Sequence, residues 1–310
     1  MNFRDLSYLL ALAEYRHFGK AAKACSVSQP TLSIQLKKLE QTLGMKLFER
    51  GQKKVLMTTS GLRMVEKAKH IVQAVDEFKR FAKLEKDPFL AELRLGVISS
   101  LCPYLLPYIL PSIMQELPKI TLYLYEDKTE NLLIQLKEGK LDAVVLALPI
   151  PHKGLYLRPL FKEPFFLIMP RSHALYDAKK LDLNDLGHYN LLLLEEGHCF
   201  RDQALDVCHK RSNLKEKTNY RATSLETLRH MVGTGAGITL LPLLALETHP
   251  FIKNVPLASP VPERKIGMLW RKGSALERCC KKIATLIENN IPNVITHLEK
   301  KLQSKHRMHR

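Results

Sequence analysis

Residues 18–40 read FGKAAKACSVSQPTLSIQLKKLE, and this stretch decides the fold of the N-terminal part of the chain. Phe18, Ala21, Ala22 and Cys25 recur at helical spacing with Lys20 and Lys23 between them, so a short helix with one apolar face is expected. Ser26-Val27-Ser28 breaks the pattern as a tight turn. Ser28 is a good N-cap, because its hydroxyl can accept a first-turn N–H, and Pro30 suits a first turn, where its missing N–H is no loss. The helix that follows, QPTLSIQLKKLEQTLG, turns Leu32, Leu36, Leu39 and Leu43 inward and Thr31, Ser33, Ile34, Lys37 and Lys38 outward. Two helices joined by a three-residue turn, the second starting with small polar groups and continuing with lysines, make a helix-turn-helix. Short hydroxyl and amide side chains reach base edges, and lysines meet phosphates. Ser28, Gln29, Pro30, Thr31, Ser33, Lys37 and Lys38 are therefore the candidates for contact with double-stranded DNA.

The flanking segments extend this unit. Leu6, Leu9, Leu10 and Ala13 predict an amphipathic helix ahead of it. Behind it, LFERGQKKVLMTTSG (47–61) reads as a hairpin with Arg50, Lys53 and Lys54 around a Gly-Gln turn, a wing suited to the DNA backbone. Leu62, Val65, Ala68, Ile71, Val72, Val75, Phe78 and Ala82 then form a near-heptad stripe ending near Asp87-Pro88. A long helix with such a stripe packs against a partner helix. The expected divisions are a DNA-binding domain at 1–58, a linker and dimerisation helix at 59–88, a regulatory region at 89–303 and a loose basic tail at 304–310.

Charge supports a polyanionic partner. The chain carries 48 Lys and Arg against 31 Asp and Glu, a formal charge of +17. The surplus is densest at the two ends, in residues 1–88 and in the last thirteen. No apolar run approaches the ~20 residues that span a bilayer. The N-terminus is amphipathic and contains acids, unlike a secretory signal, so a cytoplasmic location with reduced thiols is expected. No cysteine or histidine spacing suits a metal, and no cofactor motif is found. GTGAG (233–237) lacks the phosphate-loop pattern and reads as a helix end turning into a strand.

From residue 91 strands alternate with helices. LRLGVISS (93–100), ITLYLYED (120–127), LDAVVLALP (141–149), LLLLEE (191–196), GITLLP (237–242) and RKIGMLWR (264–271) read as strands. PYLLPYILPSIMQELP, TENLLIQLKEG, SLETLRHMVGTG and SALERCCKKIATLIENN read as helices, and LYLRPLFKEPFFLIMP as extended chain. This alternation implies parallel sheets with crossover helices. The chain leaves a first α/β unit near 161–163 and returns near 265. The expected fold is therefore α/β with two Rossmann-like lobes, similar to type 2 periplasmic binding proteins, lobe I being 89–162 with 265–303 and lobe II 163–264. Ligands of such sheets bind beyond the carboxyl ends of strands.

The stretch LLLLEEGHCFRDQALDVC (191–208) carries the most reactive chemistry. Cys199 falls where a strand gives way to a helix, and the helix dipole and free N–H groups there favour thiolate. Cys208 lies nine positions on, about 13 Å along the same helix, whereas a disulfide needs Cα atoms within about 7 Å. The pair is either inert or a switch whose closure unwinds the helix. Cys25, Cys279 and Cys280 read as core or filler.

Residues 18–40 resemble the winged helix-turn-helix of LysR-type transcriptional regulators, in the pattern of Ala21-Ala22, Ser28-Gln29-Pro30, Leu32-Ser33 and Leu39-Glu40. One departure is Ile34, where many members carry Arg. PYLLP (103–107), QLKEGKLDAVVLAL (135–148), EEGHCFRDQALDVC (195–208) and RATSLETLRHMV (221–232) resemble the peroxide-responsive activators of that family. The resemblance implies that Cys199 is the peroxidatic thiolate and Cys208 the resolving thiol. Hydrogen peroxide gives a sulfenic acid and then a disulfide, which switches on antioxidant genes through changed contacts with DNA and RNA polymerase. It also implies that His198, Arg264, Asp202, Thr129 and Ser100 line the peroxide pocket, Ser100 standing where Thr is usual, with Cys102 beside it. A dimer of dimers on pseudo-palindromic sites is implied as well. The alternative is a regulator of the same family that senses a small organic anion between the lobes. A thiol peroxidase is a third reading, which leaves the DNA-binding segment unexplained, and no serine elbow, HExxH or paired carboxylates point to another enzyme.

Overall fold

The computed structural model describes residues 1–49, 55–84, 89–178, 180–182, 186, 189–209 and 215–308. Arg50, Lys53 and Lys54 of the expected wing tip, Asp87-Pro88 and the side chain of Cys208 lie outside the described residues. The chain divides into two compact units, Met1–Lys86 and Asp87–Arg310.

The first unit holds α1 (Phe3–Tyr15), α2 (Phe18–Ala24), α3 (Gln29–Leu43), β1 (Phe48–Glu49), β2 (Leu56–Met57) and α4 (Thr59–Leu84). Local chemistry sets each boundary. Asn2 and Asp5 exchange side-chain and backbone hydrogen bonds as a capping box at the start of α1. Ser26 turns the chain at φ 55°, and Ser28 Oγ accepts from Thr31 N at 3.2 Å to open α3. β1 and β2 pair antiparallel, Phe48 opposite Met57. The core is Leu6, Leu9, Leu12, Leu32, Leu36, Leu39, Leu47 and Phe48, closed by Ala21, Ala22, Val65 and Ala68. Burying each large aliphatic side chain contributes roughly 1.5–3 kcal/mol. Cys25 is the C-cap of α2 and is only half-buried at the edge of this core. Leu62, Ile71, Phe78 and Phe81 of α4 remain exposed.

The second unit is the expected pair of α/β lobes, but its sheets are mixed. Its elements are β3 (Glu92–Ile98), α5 (Cys102–Glu116), β4 (Thr121–Asp127), α6 (Thr129–Lys137), β5 (Ala143–Leu148), β6 (Leu155–Pro170) and β7 (Asn190–Leu194). They continue with α7 (Cys199–His209), β8 (Lys215–Ala222), α8 (Leu225–Gly233), β9 (Thr239–Pro242), β10 (Ile252–Pro256), β11 (Glu263–Arg271) and α9 (Glu277–Met308). The strand order is β10-β6-β11-β5-β3-β4, with β9 also on β6, and β7 pairs β8 separately. β3 is parallel to β4 and β5, as the alternation predicts. β11 is antiparallel to both β5 and β6, and β6 is antiparallel to β9 and β10. A parallel neighbour needs a crossover of about a dozen residues. The short link from β5 to β6 cannot supply one, so β11 returns from the far lobe and fills the place between them.

β6 belongs to both lobes. Up to Pro164 it pairs with β11, and from Phe165 it pairs with β9 and β10. The lobe built on β7 to β10 has a core of Phe165, Leu167, Met169, Leu191, Leu193, Phe200, Leu228 and Leu240. GTGAG closes α8 at Thr234 and turns through Gly235 at φ +82° toward β9. α9 runs on through Met308 where the sequence reads as a loose tail from 304. Ile287, Ile291 and Ile295 keep one face of this helix buried, and the helix-favouring residues beyond them let it propagate.

Candidate functional site

The site is built where β7 meets α7. Leu191–Leu194 are buried on both faces of the strand, and the chain then turns through Glu195, Glu196, Gly197 and His198. Gly197 sits at φ +89°, a conformation open to glycine, and a Cβ there would lie 3.1 Å from Lys128 Cδ. Cys199 is the first residue of α7 and is half-buried, so it stands at the N-terminal end of the helix, where the dipole is positive. Phe200 anchors this turn, fully buried and edge-on to Phe165 at 5.4 Å. Cys208 is the tenth residue of the same unbroken helix. The two backbone positions are therefore about 13 Å apart along the axis.

The turn before Cys199 is a charged cluster. Lys128 Nζ donates to Glu195 Oε1 at 2.7 Å and to the Glu196 carbonyl at 3.0 Å. Arg221 pairs with Glu196 at 3.1 Å. The Lys128 ammonium holds the Glu195 carboxyl below its usual pKa. His198 is buried, with Nε2 3.7 Å from Glu195 Oε1. Burial first and the Lys128 charge second push the His198 imidazole below its usual pKa, so its neutral form is favoured.

A second cluster lies at the crossing strands. Arg264 on β11 and Glu163 on β6 are cross-strand partners with fully buried side chains. Arg264 Nε donates to Glu163 Oε2 at 2.8 Å, and its two terminal nitrogens donate to Ser100 Oγ at 3.1 Å and the Ser100 carbonyl at 3.2 Å. The other Glu163 oxygen accepts from Leu244 N at 2.7 Å. The guanidinium carbon lies 5.7 Å from the Phe200 ring centre. Ser100 and Arg264 thus meet directly and touch the Cys199 turn through Phe200. Thr129, the first residue of α6, follows Lys128, and its Oγ1 is buried with no hydrogen-bond partner. Asp202 is exposed in the first turn of α7. Gln203 Oε1 is a further buried oxygen without a partner. Cys102 is buried at the start of α5, and burial aided by Glu126 pushes its thiol up to about 12, an unreactive state. Cys279 and Cys280 are fully buried.

Glu163, Lys128 and Glu195 escaped the sequence reading. Glu163 left one signal, a lone acid in the otherwise apolar end of LYLRPLFKEPFFLIMP. Lys128 left none, because its partners follow 67 residues later. Among the described residues no group of three His, Cys, Asp or Glu could hold a metal ion. Among the described residues no helix is long and apolar enough to cross a membrane.

In the first unit Gln29, Pro30, Thr31, Lys37 and Lys38 are exposed on α3, with Ser33 half-exposed and Ile34 54% exposed among them. Ser28 is committed to capping, its Oγ also 2.8 Å from Thr31 Oγ1. Glu40, which closes the 18–40 stretch, is buried and accepts from Leu47 N and Phe48 N at 2.8 and 3.2 Å, fixing the entry to β1.

Comparison with known proteins accords with both units. Residues 3–62 match the bacterial regulatory helix-turn-helix protein family, lysR family, and residues 87–290 match the LysR substrate binding domain. The DNA-binding transcriptional dual regulator OxyR of Escherichia coli is 43% identical over 290 residues, covering 93% of this chain and 95% of that protein. The hydrogen peroxide-inducible genes activator of Dickeya chrysanthemi is 42% identical over 303 residues, covering 97% and 98%. Among solved structures, a full-length OxyR variant from Pseudomonas aeruginosa superposes with a TM-score of 0.74 at 36% identity, covering 94% of this chain and 95% of that one.

Proposed function

The chain belongs to the LysR family of bacterial regulatory helix-turn-helix proteins, and from that premise we propose that it is a peroxide-sensing, DNA-binding transcriptional regulator, acting in the cytoplasm. The observation that carries the reading is the placement of Cys199 and Cys208 at the first and tenth positions of one intact helix. In this state the two backbone positions are too far apart for a disulfide, and Cys199 stands at the electropositive end. Its thiolate attacks hydrogen peroxide, the O–O bond breaks, and sulfenic acid and hydroxide result. The Cys208 thiolate then attacks the Cys199 sulfur, the S–O bond breaks, and hydroxide leaves as the disulfide forms. Closing a gap of about 13 Å to within about 7 Å requires α7 to open. The opened helix no longer seats Phe200 under Arg264, so the change reaches β11 and its neighbour β6, the strand that both lobes share.

The chemistry of the relatives supports the oxidant, since one of them is named for induction by hydrogen peroxide. DNA is read by the first turns of α3 with the wing on the phosphates. The exposed apolar residues of α4 support self-association, which pairs two reading heads on a pseudo-palindromic site and, through a dimer of dimers, presents a surface to RNA polymerase. Arg264, Ser100, Thr129, His198 and Asp202 are assigned to the thiol environment as the residues that bind or orient peroxide.

The test is mass spectrometry of the full-length protein, alkylated after brief peroxide exposure. A Cys199–Cys208 crosslink is expected, absent in Cys199→Ser. A peroxide response left unchanged in a reporter strain carrying Cys199→Ser would overturn the reading.

A further inference from the structure

We infer that Lys128 is a positioning residue for the thiol switch, a clasp that holds the Cys199 turn in its reduced arrangement and must release when the disulfide forms. The inference rests on the thiol-switch reading above. Lys128 precedes α6 in one lobe, and its ammonium crosses to the other lobe, 2.7 Å from Glu195 Oε1 and 3.0 Å from the Glu196 carbonyl. Its aliphatic stem lies over Gly197, the residue whose positive φ turns the chain into α7. The base of the clasp is fixed, because Asp127 accepts from Asn131 at 2.9 Å and from Gln135 at 3.4 Å at the start of α6. The contacts therefore grip both the side chain and the backbone of the three residues before His198-Cys199. Opening the first turn of α7 displaces that backbone, and a clasp made at under 3.1 Å to two acceptors is lost by a shift of a few ångström.

The physical consequence is redox poise. Contacts present only in the dithiol form stabilise that form and make the couple more oxidising. The pair is about one-third exposed on each side, so its contribution is modest, a factor of about three to ten in the dithiol–disulfide equilibrium. For a two-electron couple this is about 15–30 mV.

The experiment equilibrates full-length protein with reduced and oxidised dithiothreitol and measures the Cys199–Cys208 ratio by alkylation. Lys128→Met keeps the stem over Gly197 and removes the charge. Its midpoint is expected about 15–30 mV more negative than wild type. Lys128→Arg is expected to restore most of the difference. Lys128→Met in a Glu195→Gln background is expected to shift the midpoint less than in the wild type, because the ion pair is already gone and only the contact with the Glu196 carbonyl remains to be lost. A purely structural role would lower the melting temperature of both redox forms alike, whereas the clasp lowers that of the reduced form alone. Identical midpoints for wild type and Lys128→Met, or a shift toward oxidising potentials, overturn the clasp while leaving the sensor reading intact. A wild type that forms no Cys199–Cys208 disulfide in any buffer sinks the sensor reading and the clasp together. Should Lys128→Met fail to fold, the wild type still decides. Raising salt from about 0.05 M to about 0.5 M screens the pair and must move the midpoint to more negative values, and a salt-independent midpoint overturns the inference.

Discussion

Glu163→Ala is the most informative single substitution in the regulatory unit. It removes a carboxylate with no exposed surface, which accepts from Arg264 Nε at 2.8 Å and from Leu244 N at 2.7 Å. Two costs follow. Arg264 stays charged and buried without its carboxylate, and breaking such a pair costs about 3–5 kcal/mol. Leu244 N loses its acceptor, worth about 1–3 kcal/mol if it stays dry. The costs share one carboxylate and a relaxing pocket, so they do not add in full, and about 4 kcal/mol is expected. Trp270 is the single tryptophan of the chain and is fully buried in β11, so its fluorescence reports unfolding of this unit alone. With a urea slope of about 3 kcal/mol per molar, the midpoint should fall by about 1.3 M. Glu163→Gln keeps an acceptor and loses the charge, and should fall by less. The paired change Glu163→Met with Arg264→Leu removes both charges and should recover most of the stability, because apolar replacements of a buried pair are often neutral or better. A shift under about 0.3 M for Glu163→Ala, or a double variant as unstable as the single one, would refute the argument that an uncompensated buried charge sets the cost.

Three further outcomes are expected. Gly61→Ala places a Cβ 2.2 Å from the Leu47 carbonyl oxygen, a backbone clash that should cost about 3 kcal/mol and lower the thermal midpoint of the first unit by circular dichroism; an unchanged midpoint would show that α4 shifts freely away from β1. Lys37→Ala and Lys38→Ala should each reduce the slope of log affinity against log salt for operator DNA by about 1 if each meets a phosphate; a parallel line for either variant removes that residue from the interface. His198 has its folded-state pKa held below that of the unfolded chain, near 6.5. Its sign is therefore that the unfolded state takes up the proton first, so stability is complete above about pH 6.5 and is lost as pH falls below it. Denaturant midpoints of the wild type should decline more steeply than those of His198→Gln between about pH 6.5 and 5, and parallel curves would remove His198 from the linkage.

Much of the first unit was legible because its determinants are local. The Ser28 cap, the Ser26 turn and the leucines of α3 each act within a few residues, and the structure places them as their spacing predicts. Glu40 shows where local reading ends, since a polar residue on a helix looks solvated until the chain folds β1 back over it. In the second unit the alternation of strands and helices gave the fold class but implied parallel sheets. The antiparallel β11 was hidden because nothing near residue 264 states which strands will flank it. The thiol turn was legible as a motif, yet its environment was not, as Arg264 and Asp202 illustrate. Arg264 is held by Glu163 and Ser100 and lies beside Phe200, the neighbour of Cys199, while Asp202 is exposed on α7.

Sequence alone determined where most helices start, that a basic reading head precedes a two-lobed region, and that Cys199 and Cys208 stand too far apart along one helix to bridge. These follow from periodicity, capping and the fixed rise of a helix, which operate over a few residues. Only the tertiary structure decided that Glu163 meets Arg264 across 101 positions and Lys128 meets Glu195 across 67. Such contacts are set by strand order and by which lobe each element joins, and the stability gained by burying or pairing a charge depends on neighbours that local spacing never specifies.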